Sequence, residues 1–164
     1  MYLKLGELTM VQNLLNDVLV PMNEEKKKRT PNKIPVKTAY WISKFMKKLN
    51  KEIEDYEKSR IDLCIRYSNK DANGVAIQKD DETDTSEKKR KVFDISDTVL
   101  WQKEFDELRN IQIEIPFNSI PLEQFGDIDM SVVHMSELIE LGFIEDEDDQ
   151  GYEEPHENVI PMKK

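Results

Sequence analysis

From position 36 to 68 an apolar residue returns every three or four places: Ala39, Ile42, Phe45, Met46, Leu49, Ile53, Tyr56, Leu63, Cys64 and Tyr67. That period predicts one amphipathic helix. At 1.5 Å per residue it runs about 50 Å, longer than a compact domain made from 164 residues needs. Such a helix either projects from the body or pairs with the chain's first helix and with a partner. Arg60 is the charged group that stands on the apolar line.

The other elements are shorter. "YLKL" alternates and reads as a brief strand, and "LTMVQNLLNDVLV" places Leu8, Val11, Leu14, Leu15, Val18 and Leu19 on one helical face stopped by Pro21. "NEEKKKRTPNKIP" has charge and proline but no periodic apolar residue, so 23–33 reads as a linker. "GVAIQ" and "KVFDIS" read as two strands joined by a charged, exposed and mobile loop over 79–91. "SDTVLWQKEFDELRN" is a helix capped by Ser96 or Asp97, with Val99, Leu100, Phe105 and Leu108 expected to face inward and Glu104 and Glu107 to face solvent. In "NIQIEIPF" the residues Ile111, Ile113, Ile115 and Phe117 share one face of a strand. The prolines of "NSIPLEQFGDID" argue for an edge or a departing loop. A last helix turns Val132, Met135, Leu138 and Ile139 inward and stops at Gly142. The expected fold is therefore α+β: a long central helix, a shorter N-terminal helix, a small antiparallel sheet and two short helices in the C-terminal half. Residues 1–144 form a single domain, and 145–164 a flexible acidic tail.

Charge is segregated along the chain. The formal net charge is −10, and residues 145–164 supply −6 of it with eight acidic groups against two lysines. Between 26 and 51 there are ten Lys or Arg and no acid. Within the long helix Lys37, Lys44, Lys51 and Lys58 recur every seven residues, with Lys47 and Lys48 beside them, which is either a solvated face or a docking stripe for an acidic partner. No apolar run approaches the roughly 18 residues of a membrane span, and "MYLKLGELTM" lacks the basic start and apolar stretch of a signal peptide. The expected location is cytoplasmic. Cys64 is the single cysteine; it lies on the apolar stripe and reads as packing.

Candidate chemistry is sparse. "SNKDANG" sets Asn69, Asp71, Asn73 and Asp80 at the first, third, fifth and twelfth positions of a calcium loop, with Gly74 sixth. The first ligand is a neutral amide, the twelfth is an Asp too short for the usual bidentate Glu, and no second helix follows. The same residues account for a turn that ends the long helix, Gly74 supplying its left-handed position. His134 and His156 are far apart and have no cysteine companions for a zinc site. Neither a phosphate-cradling glycine loop nor a serine elbow is present. Among 34 carboxylates spacing singles out no pair, so a metal-dependent hydrolase is unsupported. Tyr40 and Trp41 beside the lysines could suit nucleic acid, yet arginine is scarce there, the tail is anionic and no known nucleic-acid motif is matched.

The run "KIPVKTAYWISKFMKKLNKEIEDYEKSRIDLCIRYSNKDANG" resembles a family of small uncharacterised proteins, classed as a domain of unknown function, from phages and prophages of Gram-positive bacteria. The resemblance rests on Pro35, Val36, Lys37, Ala39, Tyr40, Leu49, Arg60, Tyr67, Asp71, Gly74, Leu108, Ile111, Ile113 and Ile115, and spans most of 1–144. The linker at 23–33, the tip at 79–91 and the acidic tail look like additions. It implies a phage-encoded protein in the host cytoplasm or the virion, and it brings no reaction. The expected function is non-enzymatic and works through protein–protein contacts: a virion or tail-associated structural or assembly component. The alternative is an inhibitor of a host defence enzyme whose tail from Glu145 to Glu154 imitates a nucleic-acid backbone. The implied partners are other phage proteins or a host protein, with self-association allowed and no membrane. Candidate partner-binding residues are Lys37, Trp41, Lys44, Lys48 and Lys51. Arg60, Tyr67, Asp71 and Gly74 are assigned to the framework, and no catalytic residue, metal ligand or cofactor is assigned.

Overall fold

A computed structural model gives the architecture and describes residues 1–23, 27–86 and 89–145. The protein is α+β. Strand β1 (Tyr2–Lys4) leads through a short 3-10 turn into helix α1 (Leu8–Leu19), then β2 (Met22–Asn23) and β3 (Lys28–Arg29). Helix α2 (Val36–Tyr67) follows, then the strands β4 (Gln78–Asp80) and β5 (Lys91–Phe93), helix α3 (Thr98–Arg109), β6 (Gln112–Glu114) and helix α4 (Val132–Glu140). The strands form three separate antiparallel pairs: β1 with β6, β2 with β3 and β4 with β5. In the first of these Leu3 stands opposite Ile113, so the N-terminus is stitched to the second half of the chain.

Helix α2 has 32 residues, about 48 Å at 1.5 Å each, and it is buried in two different ways. Along its first half Ile42, Phe45 and Leu49 enter one cluster with Leu8, Val11, Leu15 and Val18 of α1. That cluster is closed by Leu3, Ile115, Ile120, Phe125, Leu138, Phe143 and Ile144. Phe45, Phe117 and Phe143 form its aromatic centre, with Phe117 stacked on Phe143 at 4.3 Å between centroids and Phe45 edge-on to both. Such contacts add about 0.5–1.5 kcal/mol per pair beyond the area they bury. Thr38, also buried, donates its hydroxyl to the Gln124 carbonyl at 2.6 Å, which holds the start of α2 to the 3-10 turn over Leu122–Phe125.

The second half of α2 lies against α3, with Tyr56, Leu63 and Cys64 buried on that side. Helix α3 is capped by Asp97, whose side chain accepts from the Leu100 amide, and it contributes no fully buried residue. Its inward line is Trp101, Glu104, Phe105 and Leu108, all half-buried. Val99 and Leu100, expected to face inward, are 78% and 50% exposed. The bonds of Tyr67 and Arg66 to Glu104 and the tie of Ser96 to the Tyr67 carbonyl set the helix rotation, and that turns the first-turn apolar pair outward. Trp101 and Phe105 stack on each other along the inward line at 5.0 Å. Trp101 Nε1 is buried without a hydrogen-bond partner among the described residues.

Three further expectations shift. The stretch 23–33 is more than a linker: Met22 pairs with Arg29 and Asn23 with Lys28, Arg29 bonds Asp17 at 3.0 Å, and Asn32 reaches the Val18 and Asp129 carbonyls. Strand pairing extends into the charged segment after Gly74, because Lys79 pairs with Val92 and Asp80 with Lys91, so the connection is shorter than 79–91. In α4 only Leu138 is fully buried, whereas Val132 is 79% exposed. It occupies the first turn after the Ser131 cap, which accepts from the His134 amide, ahead of the face that meets the core. The acidic tail from 146 to 164 lies outside the described residues.

Mutation separates the packed aromatic centre from the outward-facing first turn of α3. Phe45→Ala should lower unfolding free energy by about 3–5 kcal/mol, the usual cost of emptying a packed aromatic site. Val99→Ala should change it by less than about 0.5 kcal/mol. Urea denaturation followed by circular dichroism measures both.

Candidate functional site: a lysine and tryptophan groove beside the core

The rotation of α2 that buries Thr38, Ile42, Phe45 and Leu49 fixes what lies one residue earlier on each turn: Lys37, Trp41, Lys44 and Lys48. These four, at spacings of four, three and four, make one wall of a groove of about 560 Å³. The opposite wall is the extended chain from Pro116 to Pro121 together with Gln124. Phe45 and Phe117 reach its lining from the aromatic centre, and Glu145 stands on its rim. Trp41 is 44% exposed and carries the Lys44 ammonium 5.1 Å from its ring centroid, with Tyr40 edge-on at 5.3 Å. The site thus combines an apolar floor, an aromatic face and three cations, a combination suited to an extended acidic peptide bearing apolar or aromatic side chains.

Lys51, the fifth predicted residue, lies elsewhere. A strict seven-residue repeat drifts about 20° per heptad on a straight helix. After two heptads Lys51 has rotated about 40° from Lys37, away from Trp41. It lines a second, more open depression with Leu19, Ala39, Met46, Lys47 and Glu54, into which Lys48 also reaches. The lysine row is therefore split between two surfaces.

The exit from the groove is fixed by backbone bonds. Ile120 forms a parallel bridge with Ile144; the Ile120 amide donates to Phe143 O at 3.0 Å and the Glu145 amide to Ile120 O at 3.1 Å. Ser119 adds a hydroxyl bond to the Gly142 carbonyl, and Gly142 holds the positive φ of 68° that turns the chain out of α4. No local sequence pattern places the 116–121 wall or Glu145 beside α2, because both reach the groove only through long-range packing.

The "SNKDANG" loop is built as a turn. Asp71 Oδ1 accepts from the backbone amides of Asn73 and Val75, Gly74 has φ 79°, and Lys70 bridges to Ala76. Asn69 donates its side-chain amide to Asp94 at 2.7 Å. Tyr67 donates its hydroxyl to Glu104 at 2.6 Å, and Arg66 donates to the same carboxylate at 2.9 Å. Glu104 is thus a clamp between α2 and α3 where a free solvent carboxylate was expected. Its place on the Trp101, Phe105 and Leu108 line was the available signal. Arg60 makes a forked bond to Glu57 within its own helix and remains half-exposed.

Several of these groups are shifted by their partners. Hydrogen bonding to Glu104 raises the Tyr67 phenol above its ordinary 10.0. Bonds from Asn69 and then Lys79 hold the Asp94 carboxyl below its ordinary 3.8; Thr83 and Arg90 do the same for Asp81, and the Ser86 and Arg90 amides for Asp84.

Among the described residues no cluster of three or more His, Cys, Asp or Glu is arranged to hold a metal. No helix of the described residues is long and apolar enough to cross a membrane. Comparison of the chain with protein-family models, curated proteins and solved structures finds no match.

The shifted groups set the pH behaviour of the α2–hairpin junction. Carboxyls with depressed folded pKa contribute stability that is present at neutral pH and lost as pH falls through their folded values. The raised Tyr67 contribution is present below 10.0 and lost as pH rises through its folded value. NMR titration of the carboxyl carbons should give midpoints below 3.8 for Asp81, Asp84 and Asp94. A midpoint at or above the ordinary value would mean that these bonds are not held in solution.

Proposed function

We propose that this is a non-enzymatic binding protein whose acidic partner seats in the groove beside α2. With the phage-family resemblance that spans most of 1–144, the partner is another phage protein, and the chain is a structural or assembly component of the virion or its tail. The observation that carries the reading is the convergence of Lys37, Lys44 and Lys48 with a half-exposed Trp41 over an apolar floor. Exposed lysine–carboxylate pairs contribute only about 0–1 kcal/mol each, so the aromatic floor carries the affinity and the lysines select and orient an acidic segment.

A second reading rests on a different feature. The net charge of −6 over 145–164 could imitate a nucleic-acid backbone, which would make the protein a soluble inhibitor of a host defence enzyme.

Mass spectrometry of purified particles from cells carrying the gene separates the two. The protein should be found in particles at stoichiometric level. A Trp41→Ala, Lys44→Glu double variant, folded and expressed normally, should be lost from them. Absence of the unaltered protein from particles, together with inhibition of a nuclease that deletion of 145–164 abolishes, would favour the second reading.

A further inference from the structure

We propose that the groove has a resident occupant in the free protein: the chain's own acidic segment from Asp146 to Glu154, which folds back onto Lys37, Trp41, Lys44 and Lys48 and must be displaced when a partner binds. The inference rests on the groove described above and adds how its access is controlled.

Three observations meet at this surface. The first is continuity, since Glu145 lines the groove and its amide is bonded to the Ile120 carbonyl of the opposite wall. The acidic run "DEDD" at 146–149 therefore starts at the groove itself and needs no spacer to reach it. The second is charge complementarity: the wall presents three lysines, and the described part of the site offers only Glu145 to balance them. The second depression on α2 has Glu54 among its own lysines, and Glu145 is not among the described residues that line it.

The third is length. Lys37 and Lys48 are eleven residues apart, about 16 Å along the helix. Five residues of extended chain cover about 17 Å, so 146–150 matches the row.

Tethering strengthens this weak contact. A short linker gives an effective concentration of the order of mM. If a free acidic peptide binds with a Kd of about 100 µM, the tethered copy fills the groove about nine-tenths of the time and lowers the apparent affinity of any competitor about tenfold. Salt screens the lysine–carboxylate part of the contact, so the masking weakens as ionic strength rises.

The test uses the full chain. A fluorescent peptide of sequence EDEDDQGYEE, matching 145–154, is titrated by anisotropy into the unaltered protein and into a full-length variant with Asp146→Asn, Glu147→Gln, Asp148→Asn and Asp149→Asn. The neutralised variant should bind the peptide about tenfold more tightly, and adding Trp41→Ala to it should remove the binding. Equal affinity for the two proteins overturns the masking and leaves the groove standing as a partner site. No binding to the neutralised variant overturns the masking and the groove reading together. Concentration-dependent dimers of the unaltered protein that dissolve on neutralisation would assign the segment to a second copy and overturn the intramolecular form.

Discussion

The packing of Ile42, Phe45 and Leu49 against α1 sets the rotation of α2, and most of the surface chemistry follows from that rotation. A helix buried on one line must display the adjacent line at a fixed angle beside the core. Here that neighbouring line carries Lys37, Trp41, Lys44 and Lys48. The opposite wall is positioned by the same cluster, because Ile115, Ile120 and Phe143 are anchored within it while Phe117 and Ile120 open onto the groove. Loss of the aromatic centre would thus loosen both walls at once.

The far half of α2 obeys a different balance. Only Tyr56, Leu63 and Cys64 are buried there, against a helix that has no fully buried residue. Polar contacts supply much of the definition: Tyr67 and Arg66 converge on Glu104, and Ser96 holds the end of α2 through the Tyr67 carbonyl. These bonds are largely exposed and individually worth little. The protein therefore has a firm end around the groove and a more loosely secured end around the β4–β5 hairpin, which keeps the candidate site on the rigid part of the scaffold.

Periodicity made the helices and the β6 strand legible, since a 3.6 or 2.0 repeat survives in any context that buries one face. It failed where tertiary contacts choose among faces. Val99 and Leu100 look like core residues by type, but the bonds of Tyr67 and Arg66 to Glu104 select another line. Lys51 belonged by heptad arithmetic to the lysine row, but drift against the 3.6-residue period carries it onto a second surface. Four of the five expected partner-binding residues meet in one groove. Its other half, from Pro116 to Pro121 with Glu145, depends on pairing between distant segments that no local pattern announces. The turn after α2 was readable because Asp71 and Gly74 act through their own backbone neighbours.

The lysines of α2 and Glu145, the first residue of the acidic segment, line the same groove, and the Glu145 amide is bonded to its wall. The two tryptophans are on different helices: Trp41 on the first half of α2 and Trp101 on α3, which packs against α2. Cys64 is buried, so a cysteine introduced as Gln150→Cys can be spin-labelled selectively. Paramagnetic broadening of the two indole N–H signals is the most direct measurement. Strong broadening of the Trp41 signal that high salt relieves, with Trp101 left sharp, is the expected result. Equal effects on both indoles, or none on either, would contradict it.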